Sequence, residues 1–266
     1  MPPSSTLSKS TMAALASQLF LAGGALASLQ ACPLNTTQLS CHNTTAIKDS
    51  CCFNSPGGLL LQTQFWDTNP ATGPDDSWTI HGLWPDNCDG TYQSNCDEAR
   101  AYKNITEILK AEGRTELLDY MNTYWKDEDG DDESFWEHEW GKHGTCINTI
   151  DPSCYTNYKP QEEVGAYFNK VVDLFKGLNT YKFLSDANIT PSSSKTYDLS
   201  DLQDALTKAH GAKVTINCED DALDEVWYFF NVRGNAINGQ YVAADAASDS
   251  TCPQSGIKYL PKDSDN

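Results

Sequence analysis

The ten cysteines are the feature that most restricts how this 266-residue chain can fold. All ten follow an N-terminal stretch in which Lys9 precedes an apolar run over residues 12–27 that ends in Ala-Leu-Ala. This is the pattern of a secretory signal peptide with an A-x-A cleavage site, so residues 1–27 are expected to be removed. An even number of cysteines in a secreted chain predicts a disulfide framework, although sequence alone does not select the pairing.

Residues 28–266 are expected to form one domain, because the sequence contains no internal repeat. No later stretch approaches the ~20 apolar residues of a membrane span. We therefore predict a secreted monomer that has no membrane contact after signal removal and is located outside the cell or in a vacuole. Four N-x-S/T sequons predict glycan on the surface, at Asn35, Asn43, Asn104 and Asn188.

The formal net charge is −19 at pH 7, which is unusual for a protein that binds nucleic acid. Either the chain does not bind nucleic acid, or it binds a short stretch through a local positive site while the remaining surface repels phosphate. We favour the second interpretation, because at a pH of about 4 to 5 many carboxylates are protonated and histidines are charged. The acidic composition then indicates acidic working conditions.

Two short segments about 60 residues apart concentrate the residues that carry chemistry. The first covers residues 78–86 (WTIHGLWPD) and the second covers residues 135–146 (FWEHEWGKHGTC). Together they contain three of the five histidines and four of the seven tryptophans. Trp78, Trp136 and Trp140 are expected to lie in the core, because most aromatic side chains serve packing.

The spacing in the second segment disfavours a metal site. On a helix, Glu139 and His143 share a face, with Lys142 beside them. His138 lies about 140° around that helix from His143, so the two are not expected to bind one ion. The zinc-protease pattern H-E-x-x-H is not matched, because it requires histidines four residues apart. The chain also has no C-x-x-C pair and Lys142 repels cations, so we predict no metal and no cofactor and disfavour a metal-dependent nuclease or protease.

These residue types suit the cleavage of RNA. RNA carries its own nucleophile, the 2′-hydroxyl, so cleavage needs a base for that proton, an acid for the leaving 5′-oxygen and a positive group at the phosphate. Histidine titrates near neutrality, so two histidines can fill the first two roles. Lys142 suits the charged phosphate oxygens. The neighbouring aromatic rings can stack on the bases of single-stranded RNA.

The two segments resemble the active-site signatures of the secreted acid ribonucleases of the T2 family, most closely the fungal ones. The resemblance extends over the cysteines, from Cys32 to Cys252. It implies that His143 activates the 2′-hydroxyl and that His81 protonates the leaving group. It also implies that Glu139 and Lys142 stabilise the transition state and that His138 contacts phosphate.

The resemblance further implies a metal-independent endoribonuclease for single-stranded RNA with low base specificity. Its products would be 2′,3′-cyclic phosphates and then 3′-phosphates, and DNA would not be cut. Trp84, Asp86 and Tyr92 match a first base pocket, and Gln64 and Phe135 match parts of a second. The acidic run at residues 127–133 departs from the family, where this loop is more neutral, so no dinucleotide preference is carried over. We interpret that run as a solvated loop, because its glycine spacing does not fit a calcium loop.

The disulfide pairing is likewise taken from the resemblance: Cys32–Cys52, Cys41–Cys88, Cys51–Cys154, Cys96–Cys146 and Cys218–Cys252. Periodicity predicts helices over 98–111, 115–125, 135–143, 161–178 and 199–209, and strands over 58–66, 78–83, 214–218, 226–233 and 240–244. Helices and strands in mixed order predict an α+β fold with an antiparallel sheet. The histidines outside both segments, His42 and His210, are expected at the surface.

The alternative function is a non-catalytic secreted member of the same fold that acts in recognition or toxicity. Loss of either His81 or His143 would favour that alternative. Both residues are present, so the sequence favours the enzyme.

Overall fold

The computed structural model describes residues 28–262, and the predicted signal peptide lies outside the described residues. The α-helices are α1 (Ile105–Ala111), α2 (Thr115–Tyr124), α3 (Asp132–Lys142), α4 (Glu162–Gly177), α5 (Thr180–Asp186) and α6 (Leu199–His210). The strands are β1 (Ser28–Leu29), β2 (Leu59–Phe65), β3 (Thr79–Asp86), β4 (Tyr155–Thr156), β5 (Thr196–Tyr197), β6 (Thr215–Glu219), β7 (Ala222–Arg233), β8 (Gln240–Ala244) and β9 (Ile257–Lys258). Short 3-10 turns connect several of these elements.

The main sheet is built around antiparallel pairs, with β2 between β3 and β7. The long strand β7 also pairs antiparallel with β6 and β8, and a single parallel bridge joins it to β9. A separate small sheet joins β1 to β4. The predicted α+β fold with an antiparallel sheet is therefore confirmed. No helix in the described part of the chain has the length and apolar composition needed to cross a bilayer.

One continuous core lies between the main sheet and the helices. The amphipathic helix α4 contributes Val164, Phe168, Val171 and Phe175, which are at most 6 % exposed and pack with residues of β3 and α2. The three tryptophans predicted to be core residues are also buried, between 0 and 2 % exposed. Burial of a Trp requires a partner for its indole N–H, and the Nε1 of Trp140 donates to the Arg100 carbonyl at 2.6 Å.

Five disulfides connect the chain, and they are the five pairs implied by the family resemblance. Cys41–Cys88 lies next to the end of β3, and Cys96–Cys146 ties the chain beyond β3 to the residues that follow α3. These two bridges therefore restrain both segments that carry the candidate site.

Three local expectations are wrong. The helix predicted over 98–111 begins only at Ile105, because residues 98–100 form a separate 3-10 turn. The acidic run is only partly a solvated loop, because α3 begins at Asp132 and the side chain of Asp131 caps it by accepting from the Ser134 N–H. Carboxylates are favoured there by the partial positive charge of the helix N-terminus. His210 is half-buried rather than on the surface, with its Nε2 2.9 Å from the Phe229 carbonyl oxygen.

Candidate active site

The two predicted segments meet in one cleft at the edge of the sheet. His81 lies on β3. Glu139 and Lys142 lie in the last turn of α3, and His143 follows that helix directly. His81 Nε2 lies 3.7 Å from Glu139 Oε1, and the rings of His138 and His143 are 6.5 Å apart. All the residues predicted to act on the phosphodiester are therefore brought together, although their roles stay predictions.

His143 does not continue the helix. α3 ends at Lys142, and His143 is the cap residue with φ −112° and ψ −50°. The ligand atoms of His138, Glu139 and His143 consequently lie within 4.8 Å of one another, so the expectation that the two histidines cannot approach a common ion is wrong. The ammonium of Lys142 disfavours a cation beside this group.

Glu139 is fully buried, and this burial raises the pKa of its carboxyl to about 7. Its Oε2 accepts a hydrogen bond from Trp84 Nε1 at 2.9 Å, whereas Oε1 has no hydrogen-bond partner among the described residues. An unpartnered buried carboxyl oxygen is costly, so such groups are concentrated at functional sites. Glu139 Oε1 can therefore contact a ligand or share a proton with His81.

His143 is only 4 % exposed, and both of its ring nitrogens lack hydrogen-bond partners within the described chain. Burial, reinforced by the Lys142 ammonium, lowers the pKa of this imidazole to about 2. Trp84 stacks on the ring, with centroids 4.9 Å apart and planes 19° apart. The structure thus keeps His143 neutral in acid, which is the form that a general base requires.

His81 has a different environment from His143. Its side chain is 19 % exposed, and Phe65 stacks on the ring with centroids 4.0 Å apart. Its Nδ1 lies 2.5 Å from an oxygen of Glu225 on β7. Glu225 was not predicted as a site residue, because the predicted strand began one residue later. Its signal in the sequence is a carboxylate directly before an apolar strand.

His138 lies at the open side of the cleft, with 54 % of its side chain exposed. Partial burial and the nearby Lys142 ammonium lower the pKa of its ring. His138 is exposed beside the buried Glu139 and His143, where it can contact solvent or a substrate.

A cavity of about 330 Å³ opens beside His143. Its lining includes the three residues predicted for a first base pocket, Trp84, Asp86 and Tyr92. Burial raises the pKa of the Asp86 carboxyl to about 7, and the Tyr92 ring is 64 % exposed. The strand β7 adds Trp227 and Phe229, which the sequence analysis did not select.

A second cavity of about 280 Å³ opens on the other side, beside His81. The rings of Phe65 and Phe135 line it, and so do the charged residues Asp67, Lys126, Asp127, Glu128, Glu219 and Asp224. Burial is the main cause that raises the pKa of Asp67 and raises that of Asp224 to about 6. The acidic run therefore contributes directly to this cavity.

Gln64 is not brought to that cavity, although Phe135 is. Its side chain is fully buried, and its Nε2 donates to the Leu178 carbonyl at 3.0 Å while its Oε1 accepts from Thr180 Oγ1 at 2.6 Å. Successive strand residues face opposite sides of a sheet, so Phe65 rather than Gln64 faces His81. The asparagines of all four sequons are exposed.

Comparison with known proteins places this chain in a family. A family model described as the Ribonuclease T2 family matches residues 57–242. The chain belongs to the ribonuclease T2 family, which confirms the predicted resemblance, and the protein is a ribonuclease.

Several fungal proteins are closely similar. Ribonuclease T2 of Aspergillus oryzae is 62 % identical over 247 residues, which cover 92 % of this chain and 89 % of that protein. Ribonuclease M of Aspergillus phoenicis is 64 % identical, covering 85 % of this chain and 95 % of that protein. The crystal structure of Actibind, described as a T2 ribonuclease, superposes with a TM-score of 0.85 at 62 % identity, covering 88 % of this chain and 99 % of that one.

Proposed function

We propose that this ribonuclease cleaves single-stranded RNA by transphosphorylation, with His143 as the base and His81 as the acid. The observation that carries the proposal is the contrast between the two histidines. His143 is buried, neutral in acid and unpartnered among the described residues, whereas His81 is partly open to solvent and held between carboxylates. A site with these two environments separates the base from the acid.

In the first step the neutral His143 takes the proton of the 2′-hydroxyl, whose oxygen attacks the phosphorus. The bond from phosphorus to the 5′-oxygen breaks, and His81 gives its proton to that oxygen. A 2′,3′-cyclic phosphate and a 5′-hydroxyl result. In the second step the histidines exchange roles, and water opens the ring to a 3′-phosphate.

Glu139 and Lys142 support both steps. The Lys142 ammonium lies beside His143 and attracts the negative phosphate oxygens. Burial raises the pKa of Glu139 to about 7, so below that pH its carboxyl carries a proton. A neutral carboxyl can donate a hydrogen bond to a phosphate oxygen, and its Oε1 is unpartnered in the described structure. His138 adds an exposed phosphate contact.

The first cavity supports low base specificity. The cavity offers the aromatic faces of Trp84, Tyr92 and Trp227, which can stack on any base. Asp86 contributes a carboxyl group to the lining of this cavity. DNA lacks the attacking hydroxyl and is not a substrate under this mechanism. The predicted signal peptide and the exposed sequons support secretion of a glycoprotein.

The test uses one short RNA, the same strand with 2′-O-methyl groups, and the DNA equivalent, each incubated with the purified protein at acid pH in excess EDTA. We expect the RNA alone to be cut and a 2′,3′-cyclic phosphate to appear before the 3′-phosphate. Cleavage of the methylated strand, or loss of all activity with EDTA, would contradict the mechanism.

A further inference from the structure

Glu225 is a buried carboxylate that reaches the first catalytic histidine from a distant strand. It lies on β7, is 7 % exposed, and places Oε1 2.5 Å from His81 Nδ1. The strand β2 separates β7 from β3, so the two residues are not neighbours in the sheet. A hydrogen bond across an intervening strand requires a fixed side-chain orientation at both ends.

The surroundings of Glu225 fix that orientation. Asn217, its register partner on β6, places Nδ2 3.4 Å from the other carboxylate oxygen, Oε2. Phe65, its register partner on β2, stacks on the His81 ring with only 19° between the planes. The carboxylate and the imidazole are therefore held by packing from two strands as well as by their own hydrogen bond.

We propose that Glu225 is the positioning residue of the acid, holding the His81 proton on Nδ1 so that Nε2 is the nitrogen that exchanges protons with the substrate. The inference rests on the proposed function, in which His81 serves the leaving group. The 5′-oxygen receives the Nε2 proton, and the Nδ1 proton stays in the hydrogen bond to Glu225. In the hydrolytic step Nε2 takes a proton from water, and the imidazolium is restored without movement of the ring.

The carboxylate also stabilises the charged ring, because a hydrogen bond from a cation to an anion is stronger than one between neutral groups. Other charged groups face the same site. Glu139 approaches from α3, Asp67 follows β2, and Asp224 precedes Glu225 on β7. From the end of α3 the Lys142 ammonium brings the opposing positive charge, and His138 and His143 are the other titratable groups on that side. Glu225 differs from the other carboxylates because it contacts Nδ1 directly.

The test compares three variants with the wild-type protein. Glu225→Gln keeps an oxygen that can accept from Nδ1 but removes the charge, and Glu225→Ala removes both. Asp220→Asn is the matched control, because it removes one charge from the exposed turn between β6 and β7 on the same hairpin. The readouts are kcat and KM for a dinucleoside phosphate over pH, and the ring titration of His81 followed by NMR.

We expect Glu225→Gln to move the alkaline limb of the kcat/KM profile to lower pH by about one unit, because the imidazolium loses an anionic partner. The midpoint of the His81 ring titration should move in the same direction. Glu225→Ala should also lower kcat by about 100-fold at the optimum with KM nearly unchanged, since the ring loses its fixed orientation. Asp220→Asn should match the wild type in all three measures.

An alkaline limb and a kcat that stay at wild-type values in a folded Glu225→Gln or Glu225→Ala protein would overturn the inference. So would a shift of equal size in Asp220→Asn, because that would assign the effect to net charge. Circular dichroism establishes folding, and Glu225→Gln carries the test if Glu225→Ala does not fold. The proposed function fails separately, if the wild type itself forms no cyclic phosphate.

Discussion

Gly82 lies against the carboxylate of Glu139 so closely that no other residue fits. A Cβ atom at position 82 would stand 1.9 Å from Glu139 Oε2 and 2.8 Å from Trp84 Nε1. The hydrogen bond between those two atoms occupies the space that a side chain would need. The strand β3 therefore contacts the helix α3 at a backbone position that has no side chain.

Gly82→Ala should lower kcat by about 100-fold, because the buried carboxylate oxygen must move by roughly 1 Å to reach the 3.0 Å contact limit. Gly177→Ala is the control, since its Cβ would meet nothing within 4 Å at the end of α4. Steady-state kinetics on a dinucleoside phosphate measure both variants. Wild-type kcat in Gly82→Ala would show that the close contact has no role in catalysis.

His81→Ala and His143→Ala should each reduce turnover by on the order of 10²–10⁴-fold while the protein stays folded, since each removes one proton-transfer group. His138→Ala should raise KM more than it lowers kcat, because we propose that this ring contacts phosphate. His42→Ala, outside the cleft, should behave as the wild type. The base assignment is wrong if His143→Ala keeps substantial activity.

Glu139→Gln should be inactive and more stable than the wild type at neutral pH. The folded state raises the pKa of this carboxyl from 4.5 to about 7. A raised pKa contributes stability that is fully present below the unfolded value and is lost as pH rises through the folded value. Above pH 7 the wild type is therefore destabilised by on the order of 3 kcal/mol relative to the neutral amide.

The measurement is the melting temperature at two pH values on either side of that window. At a pH of about 8 the variant should melt roughly 6 to 12 °C above the wild type, and near pH 4.5 the difference should vanish. Glu137→Gln on the same helix is the control and should not stabilise, because Glu137 pairs with Lys103 at 3.0 Å. A pH-independent difference for Glu139→Gln would argue against the buried charge as its cause.

Binding of RNA should weaken as pH rises through about 6, because Asp224 in the cavity beside His81 then loses its proton. A new negative charge about 7 Å from a phosphate changes the dissociation constant by about threefold in water-like surroundings. The dissociation constant of a 2′-O-methyl RNA, measured at about pH 5 and pH 7.5, reports this without cleavage. Asp224→Asn should reduce the change, and Asp201→Asn on α6 should not. An identical pH dependence in Asp224→Asn would exclude this residue.

The site was predictable from sequence where it is local. His81 and the group from His138 to His143 fall within two short segments, so spacing along the chain already placed them. The helix α4 was predictable because burial of one face gives a clear periodicity, and β2 was predictable because a short apolar run after Pro56-Gly57 indicates a buried strand. The start of α3 was not, because capping carboxylates and a solvated acidic loop have the same composition.

The remaining site residues depend on the pairing of distant strands. Glu225, Trp227 and Phe229 reach the cleft only because β7 pairs with β2, more than 150 residues earlier in the chain. Gln64 was selected from the family resemblance, whereas the alternation of side chains along β2 turns Phe65 rather than Gln64 toward His81. The pairing of distant strands leaves no periodic signal in the sequence.

The Cys51–Cys154 bridge has a practical consequence. It closes a loop over a separation of 103 residues, and both segments of the active site lie inside that loop. A heated chain therefore keeps His81 and His143 tethered, and cross-linking at this separation lowers the entropy of the denatured chain by the equivalent of about 5 kcal/mol at 25 °C. We therefore expect more activity to return on cooling after heating without a thiol reductant than after heating with one.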